Sequence, residues 1–119
     1  MKSIDLVGPW QYVLDQSLQP FLRLTFPWIA VLIDWKVPPI SLDKELEEIL
    51  PKARQDSEGF DRLIQFRLIS AKDAGLLIHF EFTNSPDQNL HARLNDRCQR
   101  IFDRFGLSVT HVTVLAGVD

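Results

Sequence analysis

The chain has 119 residues, 45% hydrophobic and 24% charged, which fits one globular domain with a core of its own. With 13 Lys and Arg against 16 Asp and Glu, a net charge of −3, it lacks the basic balance typical of a nucleic-acid binder, so any DNA contact has to come from a local patch. Cys98 is the single cysteine, which excludes an internal disulfide and a thiolate zinc cluster; with no apolar signal segment at the N-terminus, a cytoplasmic location is expected.

Gly8-Pro9 reads as a helix start, because proline suits the first helical turn. Trp10, Val13, Leu14, Leu18, Phe21 and Leu22 continue at helical spacing, and Pro20 is expected to kink that helix or split it. Pro27 ends the run, and Trp28 to Trp35 reads as a short buried turn of helix. The apolar stretch from Phe26 to Trp35 is far shorter than the roughly 20 residues of a membrane span. Val37-Pro38-Pro39 is a break. Ser41 can then cap a helix striped by Leu42, Leu46, Ile49 and Leu50, with Pro51 as its stop. Residues 52–59 are polar and read as a loop.

Phe60–Ile69 and Leu76–Thr83 are the two best strand candidates, joined through Lys72-Asp73-Ala74-Gly75. Ser85-Pro86-Asp87-Gln88 opens a helix with a serine cap and proline at the first position. That helix runs through Leu90, Leu94, Cys98, Ile101 and Phe105 and stops at Gly106. Leu107–Leu115, rich in Val and Thr, predicts a third strand. The order predicts one α/β (α+β) domain over residues 1–119, with a mixed central sheet flanked by helices. Residues 1–51 form its helical part and 60–116 its hairpin–helix–strand core.

Side chains alternate across a strand. Ile64, Phe66 and Leu68 therefore share one face of the first strand, and Asp61, Leu63, Gln65 and Arg67 the other. In the second strand Leu76, Ile78, Phe80 and Phe82 oppose His79, Glu81 and Thr83. With the apolar faces together, Asp61 and Glu81 fall on the same side of the sheet. Two close carboxylates repel unless a cation sits between them. Oxygen ligands of this kind suit Mg²⁺ or Mn²⁺, which can activate water at a phosphate. The plain alternative is a solvated polar face on a half-exposed antiparallel sheet.

Arg93, Arg97, Arg100 and Arg104 lie along one side of the next helix, beside its apolar stripe. They can contact phosphates, or form a solvated flank paired with Asp96, Asp103 or the acidic helix at 43–48. Glu45 borders its own helix's apolar stripe and either reaches toward the sheet or is simply exposed. His79 shares the carboxylate face and could orient a water. His91 and His111 have no evident partner in the sequence, and Gly-rich phosphate loops, nucleophile elbows and CxxC motifs are absent from it.

Phe26-Pro27-Trp28-Ile29-Ala30-Val31-Leu32-Ile33-Asp34-Trp35, followed by Leu42-Asp43-Lys44-Glu45-Leu46, resembles the Rpn-type, transposase-like family of the PD-(D/E)XK nuclease superfamily. Phe60-Asp61-Arg62-Leu63-Ile64 is similar to that family's first catalytic strand, and Ile78-His79-Phe80-Glu81-Phe82-Thr83 to its second. Ile101–Gly106 and Val112–Ala116 are similar to its helix–strand continuation. The resemblance covers nearly the whole chain and implies a restriction-endonuclease-like core and metal-dependent cleavage of double-stranded DNA. It implies Asp61 and Glu81 as ligands of Mg²⁺ or Mn²⁺ and a role for Glu45. The place two residues after the glutamate, usually Lys or Gln in the family, is Thr83 here. A hydroxyl there is shorter and uncharged.

Two functions follow as expectations. One is a metal-dependent DNA endonuclease with Asp61, Glu81, Glu45 and Thr83 at its centre and Arg93, Arg97 and Arg100 on phosphates. The other is a catalytically degenerate nuclease fold acting as a DNA- or protein-binding module. A third, a structural or oligomerisation domain, would use the aromatics of the N-terminal half; a homodimer is an accompanying expectation.

Overall fold

A computed structural model describes residues 7–49, 59–70, 75–83 and 90–115, apart from the side chains at 7–11, 59, 60, 83, 90, 91, 93 and 115. The elements in chain order are α1 (Val7–Gln16), α2 (Leu18–Thr25), α3 (Pro27–Ala30), β1 (Ile40–Ser41), α4 (Asp43–Ile49), β2 (Gly59–Arg67), β3 (Gly75–Thr83), α5 (Leu90–Phe105) and β4 (Val109–Leu115). The expected stop at Pro51, the connection at 71–74 and the cap at Ser85 lie outside the described residues.

The four strands form one mixed sheet in the order β1-β2-β3-β4. β1–β2 and β2–β3 are antiparallel and β3–β4 is parallel. A parallel pair needs a crossover connection, and α5 supplies it between β3 and β4. The mixed sheet flanked by helices expected from the sequence is therefore present.

Strand alternation divides the core into two layers. On one side Ile64, Phe66, Ile78, Phe80, Phe82 and Val112 pack with Leu14, Leu22, Ala30 and Ile33 from the N-terminal helices and the turn after them. On the other, Leu63 and Leu77 pack with Leu46 of α4 and Ile101 of α5. The sheet is covered on both faces, so the half-exposed alternative fails. His79 and Glu81, on the face that alternative would leave wet, are 0% and 5% exposed.

Pro20 does accompany a split, but the break falls at Ser17, three residues earlier. Proline then sits in the first turn of α2, where its missing N–H has no intrahelical acceptor to lose. The expected buried turn from Trp28 to Trp35 is corrected. Helix α3 is a single turn, and Ala30 and Ile33 are buried while Trp28, Val31 and Leu32 are exposed. One turn cannot turn every side chain inward. Ile33 instead bridges Leu68 of the strand segment, and Trp35 sets its ring edge-on to Phe66 at 5.7 Å.

β1 is an addition to the expected elements, in which Ser41 appears only as a cap for the next helix. Ile40 and Ser41 pair with Gln65 and Ile64 of β2. Ser41 Oγ still accepts the Asp43 N–H at 3.4 Å. The Asp43 carboxylate accepts the Leu63 N–H at 2.9 Å and meets Arg62 Nε at 2.6 Å, which ties α4 to β2.

Gly106 ends α5 as expected, with φ +69° and its N–H on the Phe102 carbonyl at 2.8 Å. A Cβ at this position would meet no atom within 4 Å. Gly106→Ala should therefore cost only the left-handed backbone strain, about 1 kcal/mol, and Gly106→Asn less. Urea unfolding checks this; an alanine variant as stable as the parent would contradict it. Among the described residues, no helix is long and apolar enough to cross a membrane.

Candidate functional site: a buried charged cluster under α5

Register builds the site. Asp61 stands directly opposite Glu81 across β2–β3, and Leu63 opposite His79. Across β3–β4, His79 pairs with His111 and Glu81 with Thr113. Equal parity puts Asp61, His79, Glu81, His111 and Thr113 on one face, beneath α5. The sequence-expected carboxylate pair is thus brought together by neighbouring strands.

Arg97 of α5 reaches down into this face. Its Nη1 donates to Asp61 Oδ1 at 2.7 Å and lies 3.6 Å from Glu81 Oε2. The same Asp61 oxygen lies 2.9 Å from His79 Nε2, which assigns a proton to that nitrogen. His79 Nδ1 faces His111 Nδ1 at 2.9 Å, so one of these two nitrogens donates and the other accepts. His111 Nε2 lies 2.9 Å from Thr113 Oγ1 and 3.7 Å from Glu81 Oε2. The side chains of Asp61, Glu81 and Arg97 are 7%, 6% and 14% exposed.

Charges this sheltered are costly to desolvate, and only close, hydrogen-bonded partners offset that cost. Here the partners exist. The cluster ties three strands and one helix together through side chains that are distant in sequence, Asp61 to Arg97 spanning 36 residues.

Whether these residues fit the divalent ion implied by the resemblance is decided by where Arg97 lies. Mg²⁺ binds oxygen at about 2.0–2.1 Å and demands a near-octahedral oxygen shell. Between Asp61 and Glu81 the space is held by a guanidinium, and the other close donors are imidazoles. Among the described residues, no group of three or more His, Cys, Asp or Glu side chains is disposed to hold a metal ion. As arranged, the cluster does not fit Mg²⁺ or Mn²⁺.

The remaining expected site residues are dispersed. Glu45 is half-buried on α4 and makes none of the cluster's contacts among the described residues. Thr83 pairs through its backbone with Gly59 and Leu115, and its side chain lies outside the described residues, as does that of Arg93. Of the arginine stripe, Arg97 points inward, Arg100 pairs with Asp96 at 3.0 Å, and Arg104 pairs with Glu48 at 3.1 Å. The paired-flank alternative thus describes Arg100 and Arg104. His79 bridges Asp61 and His111, in place of the water-orienting role expected of it.

His111 is the residue that sequence reasoning missed. A signal was present: His79-x-Glu81 and His111-x-Thr113 repeat the same spacing, as two strands side by side would. Burial pushes the Cys98 thiol up, which disfavours its thiolate.

A second surface lies on the opposite layer. Leu24, Trp28, Val31, Leu32 and Ile69 are exposed. A shallow cavity of about 350 Å³, lined by Arg23, Pro27, Ala30, Val31, Ile33, Trp35 and Ile69, opens among them. The chain matches no protein-family model, no curated protein and no solved structure.

Proposed function

We propose that the chain is a PD-(D/E)XK-like nuclease fold retained as a protein-binding module, in which Asp61 and Glu81 anchor a helix instead of holding a metal. The observation that carries this reading is the Arg97 guanidinium, 2.7 Å from one carboxylate and 3.6 Å from the other. It brings the positive charge that an ion would otherwise supply. Thr83, with its short neutral side chain where the family has Lys or Gln, supports the same conclusion.

A protein partner is favoured over DNA by the surface. The net charge is −3, and Arg100 and Arg104 face acidic residues of their own chain. The exposed apolar side chains around α2 and α3 make the kind of patch that marks protein contacts. Hairpin, crossing helix and parallel strand follow one another in the order that the resemblance implies.

A second reading, the metal-dependent DNA endonuclease related to transposase-like proteins, is favoured by the direct opposition of Asp61 and Glu81. Glu45 would support the pair and Thr83 would stand in the water-positioning place. Supercoiled plasmid incubated with the domain and Mg²⁺ or Mn²⁺ separates the two. Nicking no greater than that of Asp61→Asn and Glu81→Gln, with no shift of DNA in a gel, is the expected result. Nicking by the parent chain that both variants lose would replace this proposal by the second reading. A DNA shift without nicking would make the module a DNA binder.

A further inference from the structure

We infer that Arg97 is the built-in cation of the Asp61–Glu81 pair, and that its guanidinium and a divalent ion exclude one another. This rests on the hydrolytically silent reading above and adds the residue that imposes the silence.

The geometry leaves room for one cation. Asp61 and Glu81 are register partners, and Arg97 Nη1 lies within 3.6 Å of both. An ion held by the two carboxylates would need contacts of about 2.0–2.1 Å to the same Asp61 and Glu81 oxygens that Arg97 Nη1 already faces. Both cations carry positive charge, and both carboxylates are more than nine-tenths buried, so water screens their repulsion poorly. The arginine is not placed by its charge alone. Its helix is seated on the sheet by Ile101, which packs with Leu63 and Leu77. On the flank, Arg104 joins α5 to Glu48 of α4. The side chain is thus delivered to the pair by packing that a metal would not disturb.

Removing the side chain should turn a metal-blind domain into one that responds to divalent ions. Thermal unfolding and Mn²⁺ binding by electron paramagnetic resonance, neither of which needs activity, read this out. The parent chain is expected to show the same melting temperature in millimolar Mn²⁺ as in NaCl of matched ionic strength. Arg97→Ala should melt lower, recover in Mn²⁺ and bind the ion at least about tenfold more tightly than the parent. Adding Glu81→Gln should abolish that gain. Arg97→Lys, which keeps a cation, should remain metal-blind. If Arg97→Ala does not fold, Arg97→Gln carries the same comparison.

Equal Mn²⁺ binding by the parent and by the charge-removed variant overturns the inference, and so does a charge-removed variant that binds none. Metal-blindness of Arg97→Ala leaves the silent reading standing. Nicking by the parent chain defeats that reading whatever Arg97→Ala does.

Discussion

Asp61→Ala is expected to lower the unfolding free energy by about 3 kcal/mol, a large share of the roughly 5–15 kcal/mol that holds a domain together. The loss has two parts. The Asp61 oxygen accepts from Arg97 at 2.7 Å and meets His79 at 2.9 Å, and truncation leaves both groups buried without that acceptor. The guanidinium then faces Glu81 alone, at 3.6 Å. Because the two residues share one contact, Asp61→Ala and Arg97→Ala together should cost clearly less than the sum of the singles, by about 1–3 kcal/mol. Urea unfolding followed by tryptophan fluorescence measures this, since Trp35 packs against Phe66 in the core. Strictly additive costs would show that the pair is not a pair in solution.

Phe80→Ala is expected to cost about 4 kcal/mol, enough to leave a marginal domain largely unfolded at room temperature. Phe80 is fully buried on the central strand. It stacks on Phe82 at 6.3 Å and meets Phe21 of α2 at 6.4 Å. Its removal opens a void between the sheet and the N-terminal helices, and the neighbouring rings lose their contacts on that side. Phe80→Leu keeps most of the volume and should cost about 1 kcal/mol. The same unfolding experiment applies. A cost under about 1 kcal/mol for the alanine variant would mean that the layer collapses to fill the gap, and that α2 is held by something other than this packing.

Much of this architecture was legible in the residues. Period-two alternation in Phe60–Ile69 and Leu76–Thr83 placed Ile64, Phe66, Ile78 and Phe80 on one face and set Asp61 beside Glu81 on the other. That rule depends only on strand geometry, so it survives into the folded chain. The glycine stop at 106 was legible for a similarly local reason, because a left-handed terminus selects that residue.

What escaped was tertiary. β1 is two residues long, and alternation cannot declare itself over so short a run. Trp28, Val31 and Leu32 are as apolar as core residues, and pattern alone does not say that a single helical turn leaves them outside. Arg97 is the most instructive case. In the sequence it is one of four arginines beside an apolar stripe. Nothing local says that it turns inward while Arg100 and Arg104 stay at the surface with Asp96 and Glu48. The cation expected for the carboxylate pair was read as an ion, and the chain carries a cation of its own 36 residues from Asp61.

The facing of Asp61 and Glu81 also bears on how the domain assembles. A hairpin is the most local sheet element this chain can form, yet this one places like charges directly opposite, an arrangement that opposes strand pairing. The neutralising group arrives only with the crossover helix. The pairing of the two long strands is thus relieved at this one position by a side chain from outside the hairpin, Arg97 of α5.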